Sequence, residues 1–138
     1  MKVRFNYADR KLNFSPKSIL KELIRNIFTT EKIEADIIDY VFCSDEYLLG
    51  INRTALNHDY YTDIITFPLH EKGQPVLAEI YISLDRVKDN AMTHNNTYNE
   101  ELSRVIAHGA LHLCGYKDKT KNDIYLMREK EVFYIRGI

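Results

Sequence analysis

Residues 108–118 read HGALHLCGYKD. His108 and His112 stand four apart, Gly115 follows three later, and Asp118 three after that. Residues four apart share a helix face, so both imidazoles project to one side if a helix runs as far as Gly115. Glycine adopts the left-handed conformation that ends many helices, and a reversal there would swing Asp118 back toward the histidines. Two neutral imidazoles and a carboxylate suit Zn²⁺, with bonds of about 2.0–2.2 Å. Three protein ligands leave one position open, which marks a catalytic rather than a structural zinc. A histidine pair at this spacing is more commonly a pair of rim residues with no metal. The glycine and aspartate at fixed offsets tip the balance toward a site.

Other candidate groups read more plainly. Cys114 lies two residues past His112, well round the helix, and reads as a small core residue, as does Cys43 within an apolar run. His58, His70 and His94 fall in loops or near element ends and read as solvated.

The histidines need a helix to carry them. Leu102, Val105, Ile106, Gly109 and Leu113 form one apolar stripe, with His108 and His112 beside it. A glycine inside a helix costs about 1 kcal/mol relative to alanine, so Gly109 implies close approach of a neighbouring backbone such as a strand edge. Around this helix the chain reads as strand 3–7, a helix with Ser15 as N-cap and Pro16 at its first position, strand 35–44, and a short helix capped by Ser44 or Asp45. Ile19, Leu20, Leu23, Ile24 and Ile27 give the first helix its apolar stripe. Strands at 63–69 and 76–83 flank a turn with Gly73 and Pro75. Helices follow at about 84–95, 98–114 and 120–135. The expected fold is α+β: one domain over 1–138, with a four-stranded mixed sheet and about five α-helices.

The 138 residues are 45% hydrophobic and 28% charged, which fits a globular chain with a real core. A formal net charge of -1 exerts no long-range pull on polyanions, so a nucleic-acid partner would need a local basic patch. The N-terminal stretch has scattered charges and no apolar core of a signal peptide, and no run reaches membrane-span length. Two cysteines with no export signal read as thiols in a reducing, cytoplasmic setting.

The His-x-x-x-His-x-x-Gly-x-x-Asp spacing resembles the metzincin peptidase motif, in which a glutamate follows the first histidine as general base. Here that position is Gly109, which argues against proteolysis. A longer match exists. HGALHLCGYKD resembles the His-Gly-x-Leu-His-Leu-x-Gly-Tyr-Asp-His signature of the YbeY family of metal-dependent endoribonucleases. NRTALNHDYYTDIITFP (52–68), AEIYIS (78–83) and EELSRVIAHG (100–109) extend the likeness over most of the chain.

The resemblance implies a single-strand-specific, zinc-dependent endoribonuclease acting in 16S ribosomal RNA 3′-end maturation and ribosome quality control, with the small ribosomal subunit as partner. It implies one Zn²⁺ per chain, held by His108, His112 and Asp118, the last standing where the family has a third histidine. The family's arginine falls on Leu56, for which Arg53, one helical turn back, is a candidate substitute. The family's proline falls on Tyr61, and its aspartate before the last histidine on Lys117. Arg53, Arg104, Lys117, Lys119 and Lys121 are candidate RNA contacts. Glu101, seven residues before His108, is a candidate outer-shell carboxylate. Two other readings stand beside this one: a hydrolase of another bond, and a ribosome-associated module whose metal is structural.

Overall fold

In a computed structural model, which describes residues 1–136, the chain forms four strands and five helices. In order they are β1 (Lys2–Tyr7), α1 (Lys17–Glu31), β2 (Ala35–Cys43), α2 (Asp45–Leu56), β3 (Ile64–Pro68), β4 (Val76–Ser83), α3 (Leu84–Thr93), α4 (Tyr98–Leu113) and α5 (Lys121–Ile135). The sheet order is β1-β2-β4-β3. β1 and β4 pair parallel with β2, and β3 returns antiparallel on β4, so the sheet is mixed, as expected for this α+β domain.

Alternation along the strands explains why helices cover both faces. Ile38, Tyr40 and Phe42 of β2 and Val76, Ala78, Ile80 and Ile82 of β4 join one core with residues of α1 and α4. On the opposite face a smaller cluster of Cys43, Leu48 and Ile65, flanked by Ile51 and Phe67, seats α2. The Tyr40 hydroxyl, buried in the main core, donates to the Ile106 carbonyl at 2.9 Å and ties the sheet to α4.

Local signals set the helix starts. Ser44, Ser83, Thr97 and Thr120 each accept a backbone N–H from the first turn of the helix that follows. Thr97 with Glu100 and Thr120 with Asp123 complete reciprocal capping boxes on α4 and α5. Two expectations for α1 need correction. Pro16 rather than Ser15 holds the cap position, with no side-chain cap bond, because its extended backbone places it just outside the first turn. Ile19 lies at the edge of the stripe with 38% of its surface exposed, and Phe28 completes the buried stripe in its place.

The glycine in α4 has the reason its cost demands, in a different form from the one expected. A Cβ on Gly109 would stand 2.9 Å from Ile64 Cδ1 and 3.2 Å from two atoms of Ile80. The neighbours are thus side chains of β3 and β4, not strand backbone. This close approach brings the C-terminal half of α4 against β3. Gly115 then takes a φ of 107°, and the Tyr116 N–H closes onto the Leu111 carbonyl at 3.1 Å, ending the helix in a left-handed turn.

Candidate metal centre and nucleic-acid cleft

Three elements converge on one cleft of about 530 Å³: the end of α4 with the turn after it, the first residues of β3, and the loop between α2 and β3. His108, His112 and Asp118 all line it, together with Asn52, Leu56, His58, Tyr60 and Lys119.

The two imidazoles are oriented by different oxygens. His108 Nδ1 lies 2.7 Å from Glu131 Oε2, a carboxylate of α5 that is only 2% exposed. The other ring nitrogen, Nε2, faces Asp118 Oδ2 at 3.4 Å. His112 Nδ1 lies 3.1 Å from the Tyr116 carbonyl, in the turn that Gly115 creates. A hydrogen bond from Nδ1 to a protein oxygen fixes the neutral tautomer with Nε2 as the acceptor nitrogen, which is the usual way a metal-binding imidazole is held. Burial lowers the His108 pKa, but the hydrogen bond and charge of Glu131, with Asp118 adding, outweigh it and leave the imidazole above its ordinary value.

Glu131 belongs to a wider buried network. Arg104 pairs with Glu101 at 2.7 Å, with Glu131 at 3.3 Å and with Asp63 at 3.9 Å. Burial works against the guanidinium, but these carboxylates hold its pKa above the ordinary value. Asp63 is raised by burial, against the pull of Arg104 and His108. Glu101 therefore stands behind Arg104, two partners further from His108 than Glu131 is.

The donor chemistry fits a divalent cation: two imidazoles with their Nδ1 atoms engaged, and a carboxylate facing one of them across the cleft. As they stand, no three histidine, cysteine or carboxylate side chains among the described residues are gathered tightly enough to enclose an ion. Asp118 is the half-exposed member, on a turn after the helix.

The predicted cations are spread out. Lys119 lines the cleft. Arg53, near the exposed end of α2, is ion-paired with Asp59. Arg104 is committed to its three carboxylates. Lys117 borders a separate depression with Glu31 and Cys114, and Lys121 opens α5 on the surface. Leu56 borders the cleft with 39% of its surface exposed.

Among the remaining candidates, Cys43 is fully buried and Cys114 packs against the main core. Burial pushes both thiols up to about 12. His94 is exposed at the end of α3. His70 is half-buried, with Nδ1 3.3 Å from the Leu77 N–H across the β3–β4 turn, so it is a structural bridge rather than a solvated group. His58 is exposed, as expected, but it is exposed into the cleft.

Glu131 is the residue that sequence reasoning missed. The pattern of α5 gives no signal for it, because Ile124, Tyr125, Leu126, Val132 and Phe133 spread apolar side chains over the exposed side, and only the fold shows that Met127, Glu131 and Tyr134 are the buried positions. A charged residue there demands a buried partner.

A mixed sheet with helices on both faces, carrying a histidine–carboxylate cleft at the end of one helix, defines a small α+β protein with imidazole and carboxylate groups facing an open groove. The chain belongs to the YbeY family: the family model described as Endoribonuclease YbeY matches residues 3–138. Endoribonuclease YbeY of Cytophaga hutchinsonii is 47% identical over 127 residues, covering 92% of this chain and 89% of the relative. The protein of that name in Parabacteroides distasonis is 43% identical over 131 residues, covering 95% and 92%. The solution structure of TM1509 from Thermotoga maritima superposes with a TM-score of 0.70 at 29% identity, covering 98% of this chain and 87% of that one.

Proposed function

We propose that this protein is a zinc-dependent endoribonuclease whose ion is held by His108, His112 and Asp118. The observation that carries the reading is that these three side chains line one cleft, with the Nδ1 atoms of both imidazoles already bound to protein oxygens. Bound zinc supplies Lewis acidity that polarises a phosphoryl oxygen or a water molecule. The chain's own residues do the rest. Glu131 and the Tyr116 carbonyl hold the imidazoles in the ligand tautomer. Lys119 provides positive charge on the cleft wall for a phosphate. The absence of a carboxylate at Gly109 disfavours a metzincin-type peptidase, and Met127 is buried within α5 rather than in a turn.

Family membership supports RNA as the substrate. It also supports the finer reading of single-stranded 16S ribosomal RNA at its 3′ end, ribosome quality control, the small ribosomal subunit as partner, and a cytoplasmic setting. No helix among the described residues is long and apolar enough to cross a membrane. A second reading, a ribosome-associated module with weak catalysis, is favoured by one observation. Leu56, where the family pattern has an arginine, borders the cleft and brings no charge to it.

Metal content tests the ligand set. Purified protein is expected to carry about one zinc per chain by elemental analysis, and His112→Ala to lose it. Asp118→Ala is expected to weaken binding, whereas Asp118→His keeps it, since histidine is an equally good zinc ligand. Full zinc retention in Asp118→Ala would remove this residue from the ligand set.

A further inference from the structure

The loop between α2 and β3 carries aromatic side chains that the metal chemistry does not use. His58 and Tyr60 are stacked with an offset, their ring centroids 5.3 Å apart and their planes 21° from parallel. The Tyr60 hydroxyl and His58 Nδ1 are 3.1 Å apart, which fixes the two rings as a unit. Both line the cleft that holds His108, His112 and Asp118. Tyr60 is 56% exposed.

The loop beneath the pair is anchored. Asn52, 1% exposed, donates its side-chain amide to the Tyr60 carbonyl at 3.0 Å. The His58 N–H bonds the Asn52 carbonyl at 2.9 Å, and Asp59 between them is ion-paired with Arg53. The neighbouring Tyr61 is occupied elsewhere: its hydroxyl donates to Glu46 at 2.6 Å, and the Arg86 guanidinium lies 5.2 Å from its ring centre. Tyr60 instead presents a pre-ordered, solvent-facing ring at the cleft, backed by an imidazole.

We infer that the Tyr60–His58 pair is a nucleobase-stacking platform, on which one unpaired base of the RNA rests while its backbone runs into the metal cleft. The inference rests on the ribonuclease reading and deepens it. A base in a duplex has both faces covered by its neighbours, so only a splayed or single-stranded base can add itself to the stack. The platform would therefore favour unpaired RNA through contact with a base face and without reading base identity, because every base offers a π-face.

The test is steady-state cleavage of a short unstructured oligoribonucleotide by the zinc-loaded full chain. Removing one stacked base contact costs roughly 5- to 150-fold in affinity. Tyr60→Ala is expected to raise KM by such a factor with kcat little changed, the pattern of lost uniform binding. Tyr60→Phe, which keeps the ring but loses the hydroxyl contact to His58, is expected to raise KM far less than Tyr60→Ala does. An abasic nucleotide scanned along the RNA should raise KM for the parent at one position and add nothing further in Tyr60→Ala.

Tyr60→Leu, which keeps apolar bulk without the ring, provides a second variant should the alanine change disturb the loop. Parental KM in a folded Tyr60→Ala or Tyr60→Leu overturns the platform and leaves the ribonuclease reading intact. A loss confined to kcat also overturns it, because it would place Tyr60 in the chemical step. Zinc-loaded parent that cleaves no RNA overturns the ribonuclease reading, and the platform with it.

Discussion

His108 is held from both sides, by Glu131 at Nδ1 and by Asp118 facing Nε2. Glu131 thus acts on any bound cation through the imidazole. Glu131→Gln keeps the shape but removes the charge that raises ligand basicity, and outer partners of this kind contribute about 10–100-fold in metal affinity. The expected outcome is weaker zinc binding by such a factor in a chelator competition, with the fold retained. Unchanged affinity would show that the Glu131 contact does not tune the ligand. Leu56 poses the complementary question, because it borders the cleft where the family pattern has an arginine. Its exposure means that Leu56→Arg need not bury a charge, so the variant is expected to melt close to the parent. One new phosphate contact should steepen the salt dependence of RNA binding by about 0.7–0.9 in log–log slope. An unchanged slope in a folded variant would place position 56 off the RNA path.

At the scale of elements, the end of α1 clamps the structure that orients His112. Glu31 accepts hydrogen bonds from Tyr116 at 2.6 Å, from Tyr134 and from Lys130 at 3.4 Å. It thereby joins α1, the turn after α4, and α5. Burial raises its pKa, but the two tyrosines and Lys130 more than offset this and leave it lowered. A lowered carboxylate pKa gives stability that is present above the ordinary value near 4.5 and is lost as pH falls through the folded value. Glu31→Gln is expected to cost about 1–3 kcal/mol at neutral pH, with the difference from the parent shrinking in acid. Denaturant melts across that range would show it, and a constant difference down to low pH would contradict it. The same turn also shows what was legible beforehand. The α4 stripe, Gly115 as helix terminator and the rim position of the histidines all follow from spacing. Glu31 gives no such signal, because its partners lie 85 and 103 residues away.

For the whole molecule, the element order and types follow from periodicity and capping residues, and the four-stranded mixed sheet follows from that order. What the sequence left hidden is which side chains the fold brings to the cleft. His58 reads as a solvated loop residue until the 57–63 loop is seen to fold over the end of α4. Arg104 reads as a free cation until three carboxylates, from the loop before β3, from α4 and from α5, surround it. These are long-range encounters that no local pattern encodes. With a net charge of only -1, an RNA partner would have to be met by local rather than long-range charge, and the proposed function makes cleavage depend on an ion in this cleft. The most direct measurement is cleavage of an unstructured RNA by metal-stripped protein, by the same protein reloaded with zinc, and by His112→Ala treated in the same way. Activity that is absent after stripping, restored by zinc in the parent and not restored in His112→Ala is the predicted result. Stripped protein that cleaves as fast as reloaded protein, or a zinc-loaded parent with no cleavage at all, would contradict it.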